Sequence, residues 1–573
     1  MPFTERNPIS RTLPIAKPSI IHVCLSNRKP MGASSEPSWK ELSERSVLLK
    51  AVKHWREDPD NWLRESFERL PETVRVNPLS ADSDWVESWL EDASGKRLEW
   101  FKGPGSAWEL PFARGSAPDG LKQLLVALHD TGRITRQEAA SMLPVLALGP
   151  KSGDLVLDLC ASPGSKTTQI CEHLSGEGAV IANEVVNGRV NTLVSNIHRH
   201  SSKTALIVNH DGRHFPKVPG EGFDRILVDA PCTGSGTTRK NPEIWSKWLP
   251  SSGFSLHDLQ HGLLTSAIRL AKPGARIVYS TCSLDPIENE AVVARALSSE
   301  MVKILPGHDL IPSVPSDVGM TDWTPLDDEG NPMVHDECPS HLMPLHKSPH
   351  NQSLKNCVRI WNDSLGGGGF FLAVLEKIKS EKSTPSKSVE SDSIDPISPD
   401  PDHFPVPIDD YWRDALKSEW ADIPEGLWTR GKTLLWTSNA IEEVWKSEGS
   451  RKGGRRRTPG YQWHPLKVVH AGMTLARLRK GRLDRITSRG ASRIGAGKGP
   501  SFVNVQGGLI DAILLGQTPT IEEGTEISEI GPGSAILIDG SGTVLPVWAG
   551  AKITPMVNES EKVVLRAIRG MEN

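Results

Sequence analysis

"DLVLDLCASPGSKTTQICEHL", residues 154–174, reads as a buried strand, a turn and a helix. Leu155 to Leu159 is a short, nearly unbroken apolar run, Pro163-Gly164 punctuates it, and a helical period starts at Ser165. A helix that starts at a strand end turns its free backbone amides toward whatever lies there, which suits an anion or a carboxylate. The stretch is not a P-loop, because Gly164 and Lys166 are not adjacent and no glycine stands five residues before Gly164. With a single glycine it is not the dinucleotide fingerprint either.

Downstream, three further apolar runs end in an acid: "AVIANEV" (179–185) in Glu184, "ALIVNHD" (205–211) in Asp211 and "RILVDAPC" (225–232) in Asp229. β-branched runs alternating with helical segments from 153 to about 378 predict an α/β fold with a doubly wound parallel sheet. In such sheets ligands lie beyond the carboxyl ends of the strands, and an acid about twenty residues after the glycine turn holds ribose hydroxyls. Glu184 stands at that distance from Gly164. The pattern predicts a nucleoside pocket.

Two strand-like runs end in cysteine, at "DAPC" (229–232) and "STCS" (280–283). Neighbouring strands four and five of the sheet would place Cys232 and Cys282 together at the pocket mouth. A buried cysteine is usually a small core filler, but a thiolate beside a nucleoside site could attack an electrophilic carbon. Cytosine offers one at carbon 6. Addition there makes carbon 5 nucleophilic enough to take a methyl group, and a second group then helps to resolve the adduct.

"DLCASPGSKTTQ" (158–169), "VDAPCTGSGTTRKNPEIWSKW" (228–248) and "YSTCSLDPIENE" (279–290) resemble the Nop/Sun RNA cytosine-5 methyltransferases, and within them the multisite tRNA methyltransferase branch. "GRITRQEAASMLPVLAL" (132–148) resembles the approach to that family's catalytic core, and "KNCVRIWNDSLGGGGFFLAVLEK" (355–377) its final strand. "PLKVVHAGMTLARL" (465–478) and "LPVWAGAKITPM" (545–556) resemble its C-terminal PUA-like RNA-binding region. The resemblance implies a Rossmann-like S-adenosylmethionine-dependent methyltransferase acting on RNA, with tRNA as the substrate. It implies Cys282 as nucleophile, Cys232 as the product-releasing cysteine, Asp229 on the cytosine edge and Lys166 near cofactor and base. It implies a cofactor pocket lined by Cys160, Ala161, Ser162, Pro163, Gly164, Ser165, Lys166, Glu184, Asp211 and Asp229. The family usually has Asp at the position of Glu184, and Pro-His at that of Trp361-Asn362.

The 573 residues carry a net charge of −4, so a nucleic-acid partner needs local rather than global charge. Residues 446–498 supply it: fifteen Lys or Arg against Glu448 and Asp484, with Arg455-Arg456-Arg457 beside Tyr461 and Trp463. The alternative for that segment is a solvated loop or a localisation signal. Composition and period divide the chain into a loose leader (1–38), a small α+β domain (39–149), an α/β core (150–378), a linker rich in Ser, Pro and charge (379–407) and a basic last domain (408–573). The resemblance implies an RNA-binding role for 39–149, the methyltransferase domain at 150–378 and a PUA-like RNA-binding domain at 408–573. Helical periods are expected over 40–62 and 121–128, and strands over 73–76 and 98–101.

Seven cysteines spread thinly over the chain do not form a secreted disulfide framework. With no convincing signal or membrane segment, the expectation is a soluble cytoplasmic monomer, or a nuclear one in a eukaryote. His335, Cys338, His341, His346, His350 and Cys357 match no zinc-finger spacing, so no metal is expected. The competing readings are a ribosomal RNA methyltransferase, a DNA cytosine methyltransferase and a non-catalytic RNA-binding scaffold. The DNA enzymes carry their nucleophile in the "PC" motif and have no matching "TCS" cysteine. The intact Cys282 and glycine turn argue against the scaffold.

Overall fold

In the computed structural model the apolar runs become adjacent strands: β1 (Leu155–Asp158), β2 (Ala179–Asn183), β3 (Ala205–Val208), β4 (Phe223–Asp229) and β5 (Ala271–Thr281). They pair in parallel in the order β3-β2-β1-β4-β5. Helices α1 (Ser165–Leu174), α2 (Asn187–His200), α3 (Pro250–Leu270) and α4 (Glu290–Leu297) accompany them. Both faces are covered: Leu157, Ile181, Val208 and Ile277 join one core cluster, and Val156, Val180, Ile207 and Val278 the other. Burial on two faces is why these strands read as continuous apolar runs. The order reverses between β1 and β4, which is where a doubly wound sheet opens a crevice.

Beyond β5 the sheet turns antiparallel through β6 (Val302–Leu305), β7 (Val358–Ile360) and β8 (Phe370–Lys377). β8 pairs with β5, β6 and β7. The structure describes residues 38–571 apart from 218–221, 335–337, 347, 379–404, 421, 450–465, 480–481, 495–498, 522–526 and 529. Almost all of the predicted leader and of the predicted linker, His335, the triple arginine, Tyr461 and Trp463 lie outside the described residues.

Strands Pro71–Val76, Lys96–Arg97, Ala107–Ala113 and Ile134–Arg136 form a four-stranded sheet ahead of the core. The predicted strand over 73–76 and helix over 121–128 are present, the latter within Asp119–Asp130. The strand expected over 98–101 is not: the ladder ends at Arg97, and Leu98 and Phe101 turn into a small apolar cluster with Met142. The helical period over 40–62 is broken into Trp39–Glu44, Val47–Trp55 and Asp60–Glu65. Ser46 caps the second helix by accepting from the Leu48 N–H at 3.1 Å, and Pro59 interrupts before the third.

The segment after 405 forms a five-stranded and a four-stranded sheet, yet it does not pack by itself. β9 (Val468–Ala471) adds antiparallel to the outer edge of β3. Helix α5 (Glu559–Ile568) places Val563 and Val564 in one core with Val74, Leu125 and Leu128. Arg133 grips Glu561 with two hydrogen bonds of 2.9 and 3.0 Å. Among the described residues no helix is long and apolar enough to cross a membrane.

Candidate active site

The turn after β1 is built by close packing. Gly164 has φ +114°, and a Cβ there would lie 2.9 Å from Leu193 Cδ1, so only glycine lets α1 start so near α2. Ala161 N–H donates to Asn183 O at 2.8 Å. Ser162 exchanges hydrogen bonds with Arg189, and Pro163 O accepts from Asn196 at 2.7 Å. Asn183 ties neighbouring strand ends together, donating to Leu159 O and His210 O at 3.0 Å each.

Around this turn the acids gather. Glu184 is buried, accepts from Val186 N–H at 2.8 Å and lies 3.6 Å from the Arg189 guanidinium. Asp229 ends β4, where one oxygen accepts from Lys166 Nζ at 2.8 Å and the other from Ser280 Oγ at 2.9 Å. Burial would pull the Lys166 ammonium down, but Asp229 foremost, then Cys282 and Asp158, hold it above its ordinary range. Lys166 also sits 5.4 Å from the centre of the Phe370 ring. The Cys160 thiol is pushed well up by burial and by the carboxylates of Asp158, Glu184 and Asp229 around it. Asp211 follows β3 at its carboxyl end. It caps its own turn and pairs with Arg213 at 2.6 Å, which holds its carboxyl low.

β4 and β5 are in register at Asp229 and Ser280, and this brings the cysteine loops together. Cys232 Sγ and Cys282 Sγ stand 3.3 Å apart and both remain free. The Cys232 thiol is held well above its usual range, first by its hydrogen bond with Cys282, then by burial, then by the charges of Cys282 and Glu288. Lys166, Asp229, Cys232 and Cys282 therefore form one constellation at the ends of β1, β4 and β5.

Trp361 is buried against the N-terminal helices and donates to Asp317 at 2.8 Å, while Asn362 bonds Ser66 and Thr238 at 2.9 Å each. Cys338, His341, His346, His350 and Cys357 do not converge. Cys338 and Cys357 are buried in the core, His341 lies against His257, and His346 faces Asp322 at 3.5 Å. Among the described residues no group of three or more metal-ligating side chains is brought together.

The reading missed Asp158. It is fully buried, accepts from Thr167 Oγ1 at 2.7 Å and leaves Oδ1 without a partner. Burial, against the Thr167 bond and with Asp229 nearby, pushes it up to about 7. Its signal lay in the quoted stretch, as an acid inside an apolar run. The orphaned Asp158 oxygen, the glycine turn and the buried Glu184 fit a nucleoside-bearing cation such as S-adenosylmethionine.

Residues 145–375 match the family model described as 16S rRNA methyltransferase RsmB/F. A tRNA (cytosine(49)-C(5))-methyltransferase of Pyrococcus abyssi is 34% identical over 266 residues, covering 46% of this chain and 80% of that protein. The chain belongs to the RsmB/F family. This is the Nop/Sun group that the motifs resemble, and the α/β sheet is its S-adenosylmethionine-dependent, Rossmann-like methyltransferase fold. Another RsmB/F relative, the multisite-specific tRNA:(cytosine-C(5))-methyltransferase of Saccharomyces cerevisiae, is 36% identical over 306 residues. That match covers 48% of this chain and 44% of the yeast protein, so the chain spans under half the length of that relative. The ribosomal RNA small subunit methyltransferase F of Escherichia coli O81 is 33% identical over 361 residues, covering 61% of this chain and 67% of that one. Among solved structures, a methyltransferase homologue from Pyrococcus horikoshii aligns with 27% identity and a TM-score of 0.45, covering 60% of this chain and 100% of that one.

Proposed function

We propose that the protein methylates carbon 5 of cytosine in RNA, with tRNA as substrate and S-adenosylmethionine as methyl donor. The observation that carries this is the 3.3 Å approach of Cys232 and Cys282 beside the Lys166–Asp229 pair. Gly164 to Lys166, Glu184 and the Cys160 turn hold the cofactor, which when bound supplies an electrophilic methyl group. The Cys282 thiolate adds to carbon 6, making carbon 5 nucleophilic, and Asp229 takes the cytosine edge. The electron pair gained by the ring goes to carbon 5, which forms the bond to methyl.

The carbon 5 proton then has to leave so that the bond from carbon 6 to sulfur can break. Cys232 rests as a thiol because its hydrogen bond with Cys282 is the largest influence holding its proton on. Once Cys282 is a thioether the largest of these influences is gone, leaving burial and the Glu288 charge. Cys232 can lose its proton to solvent and take the one from carbon 5. The same pair thus orders addition before release.

Support for the RNA partner comes from the hairpin Met473–Arg479 and Arg482–Ile486, where Arg477 faces Arg485 and Arg479 faces Arg482. All four are exposed. Like charges directly opposite destabilise a hairpin, and phosphodiesters relieve them. In this reading residues 39–149 and the PUA-like segment 408–573 both hold RNA, around a methyltransferase unit at 150–378, in a monomer that needs no metal.

A second substrate reading, ribosomal RNA, is favoured by the description of the matched family model. Full-length protein with labelled S-adenosylmethionine, offered tRNA, small-subunit rRNA and single-stranded DNA separately, decides between them. Label in 5-methylcytosine of tRNA is expected. Label confined to rRNA selects the second reading, and label in DNA alone overturns both.

A further inference from the structure

One buried acid holds the loops of both cysteines. Glu288 is fully buried in the turn between β5 and α4. One of its oxygens accepts from the Thr233 N–H and from the Gln260 amide, each at 2.9 Å. The other accepts from the Thr233 and Ser283 hydroxyls, each at 2.5 Å. Thr233 follows Cys232 and Ser283 follows Cys282, so the clasp reaches the residue next to each thiol. Gln260 extends it, donating to Pro231 O, just before Cys232, at 2.9 Å.

With four donors on two oxygens, the carboxylate is saturated and has no capacity left for a ligand. Charge-assisted bonds of this length are among the strong ones, and their geometry is what they fix. We propose that Glu288 is a positioning residue that sets the separation of Cys232 and Cys282, and that this separation is needed for product release rather than for methyl transfer. The inference rests on the two-cysteine reading above. Addition to carbon 6 uses Cys282 alone and tolerates a displaced Cys232. Release needs both sulfurs at one pyrimidine ring, Cys282 on carbon 6 and Cys232 at the proton of carbon 5, so a drift of about 1 Å acts on that step.

The test uses full-length Glu288→Ala, compared with wild type and with Cys232→Ala on the same RNA. Single-turnover methyl transfer is expected to stay close to wild type while multiple turnover falls by about 10²-fold. A covalent protein–RNA band should accumulate although both cysteines are present, and cofactor affinity should be unchanged. Equal loss in both rates, or no band, overturns the proposal. If Glu288→Ala does not fold, as judged by circular dichroism, the double variant Thr233→Val/Ser283→Ala loosens the clasp from its other ends and is read in the same way. A band from Cys232→Ala with none from the clasp variants overturns the role of Glu288 alone. No band from Cys232→Ala overturns the two-cysteine reading beneath it.

Discussion

Arg75→Met cuts the link between the N-terminal sheet and the helix that begins the cofactor turn. Arg75, on Pro71–Val76, meets Glu172 of α1 through bonds of 2.6 and 2.8 Å, donates to Thr168 at 3.1 Å and reaches Ser165 O at 3.4 Å. Both charged side chains are completely buried. Removing one partner of such a pair leaves an uncompensated charge and costs about 3–5 kcal/mol. Burial alone would raise the Glu172 carboxyl, but Arg75 and His200 hold it below its ordinary range. A depressed acid contributes stability above its unfolded pKa of about 4.3 and loses it as pH falls through the folded value. In Arg75→Met burial dominates, the Glu172 carboxyl moves up, and protonating it relieves the cost. The deficit against wild type should therefore be largest near neutral pH and shrink as pH falls. Urea midpoints at several pH values, with slopes unchanged, measure it. Arg75→Met/Glu172→Leu should recover most of the loss, since an apolar pair in place of a buried ion pair is often neutral. A double variant whose loss equals the sum of the single losses, within about 0.3–0.5 kcal/mol, refutes the reasoning.

Glu184→Ala should weaken S-adenosylmethionine binding by about 1.5–3 kcal/mol, the value of hydrogen bonds to a charged group; calorimetry showing unchanged affinity contradicts its role. Changing Arg477, Arg479, Arg482 and Arg485 to Gln should lower the slope of log affinity against log salt for duplex RNA by up to about 0.9 per phosphate contact, leaving cofactor affinity alone. Asp158, raised to about 7, contributes stability below its unfolded pKa that is lost as pH rises toward 7. Thermal midpoints of cofactor-free wild type should therefore decline across that window, and those of Asp158→Asn should decline less.

The sheet was legible because parallel strands covered on two faces must be apolar along their length, and the acids that end them stand out. The cysteine pair was legible for the same reason, since β4 and β5 are neighbours and end together. Glu288 was hidden because its clasp joins Thr233 to a turn 55 residues away. Arg75 reads in sequence as the exposed face of a strand, and only its burial against α1 shows otherwise. The docking of β9 on β3 left no local signature, because an edge strand reads alike whichever sheet receives it. Deleting 408–573 would therefore bare the β3 edge as well as remove basic charge. The pairing of Asp211 with Arg213, two residues on, had no mark in the sequence beyond their spacing.

The account stands on the division of labour between the two cysteines, and its most direct test is a denaturing gel of full-length protein with tRNA and S-adenosylmethionine. Cys232→Ala should transfer methyl but remain attached to RNA through Cys282, giving a shifted band, while Cys282→Ala should give neither band nor product. A shifted band from Cys282→Ala and none from Cys232→Ala would reverse the roles, and full activity in both variants would contradict the account altogether.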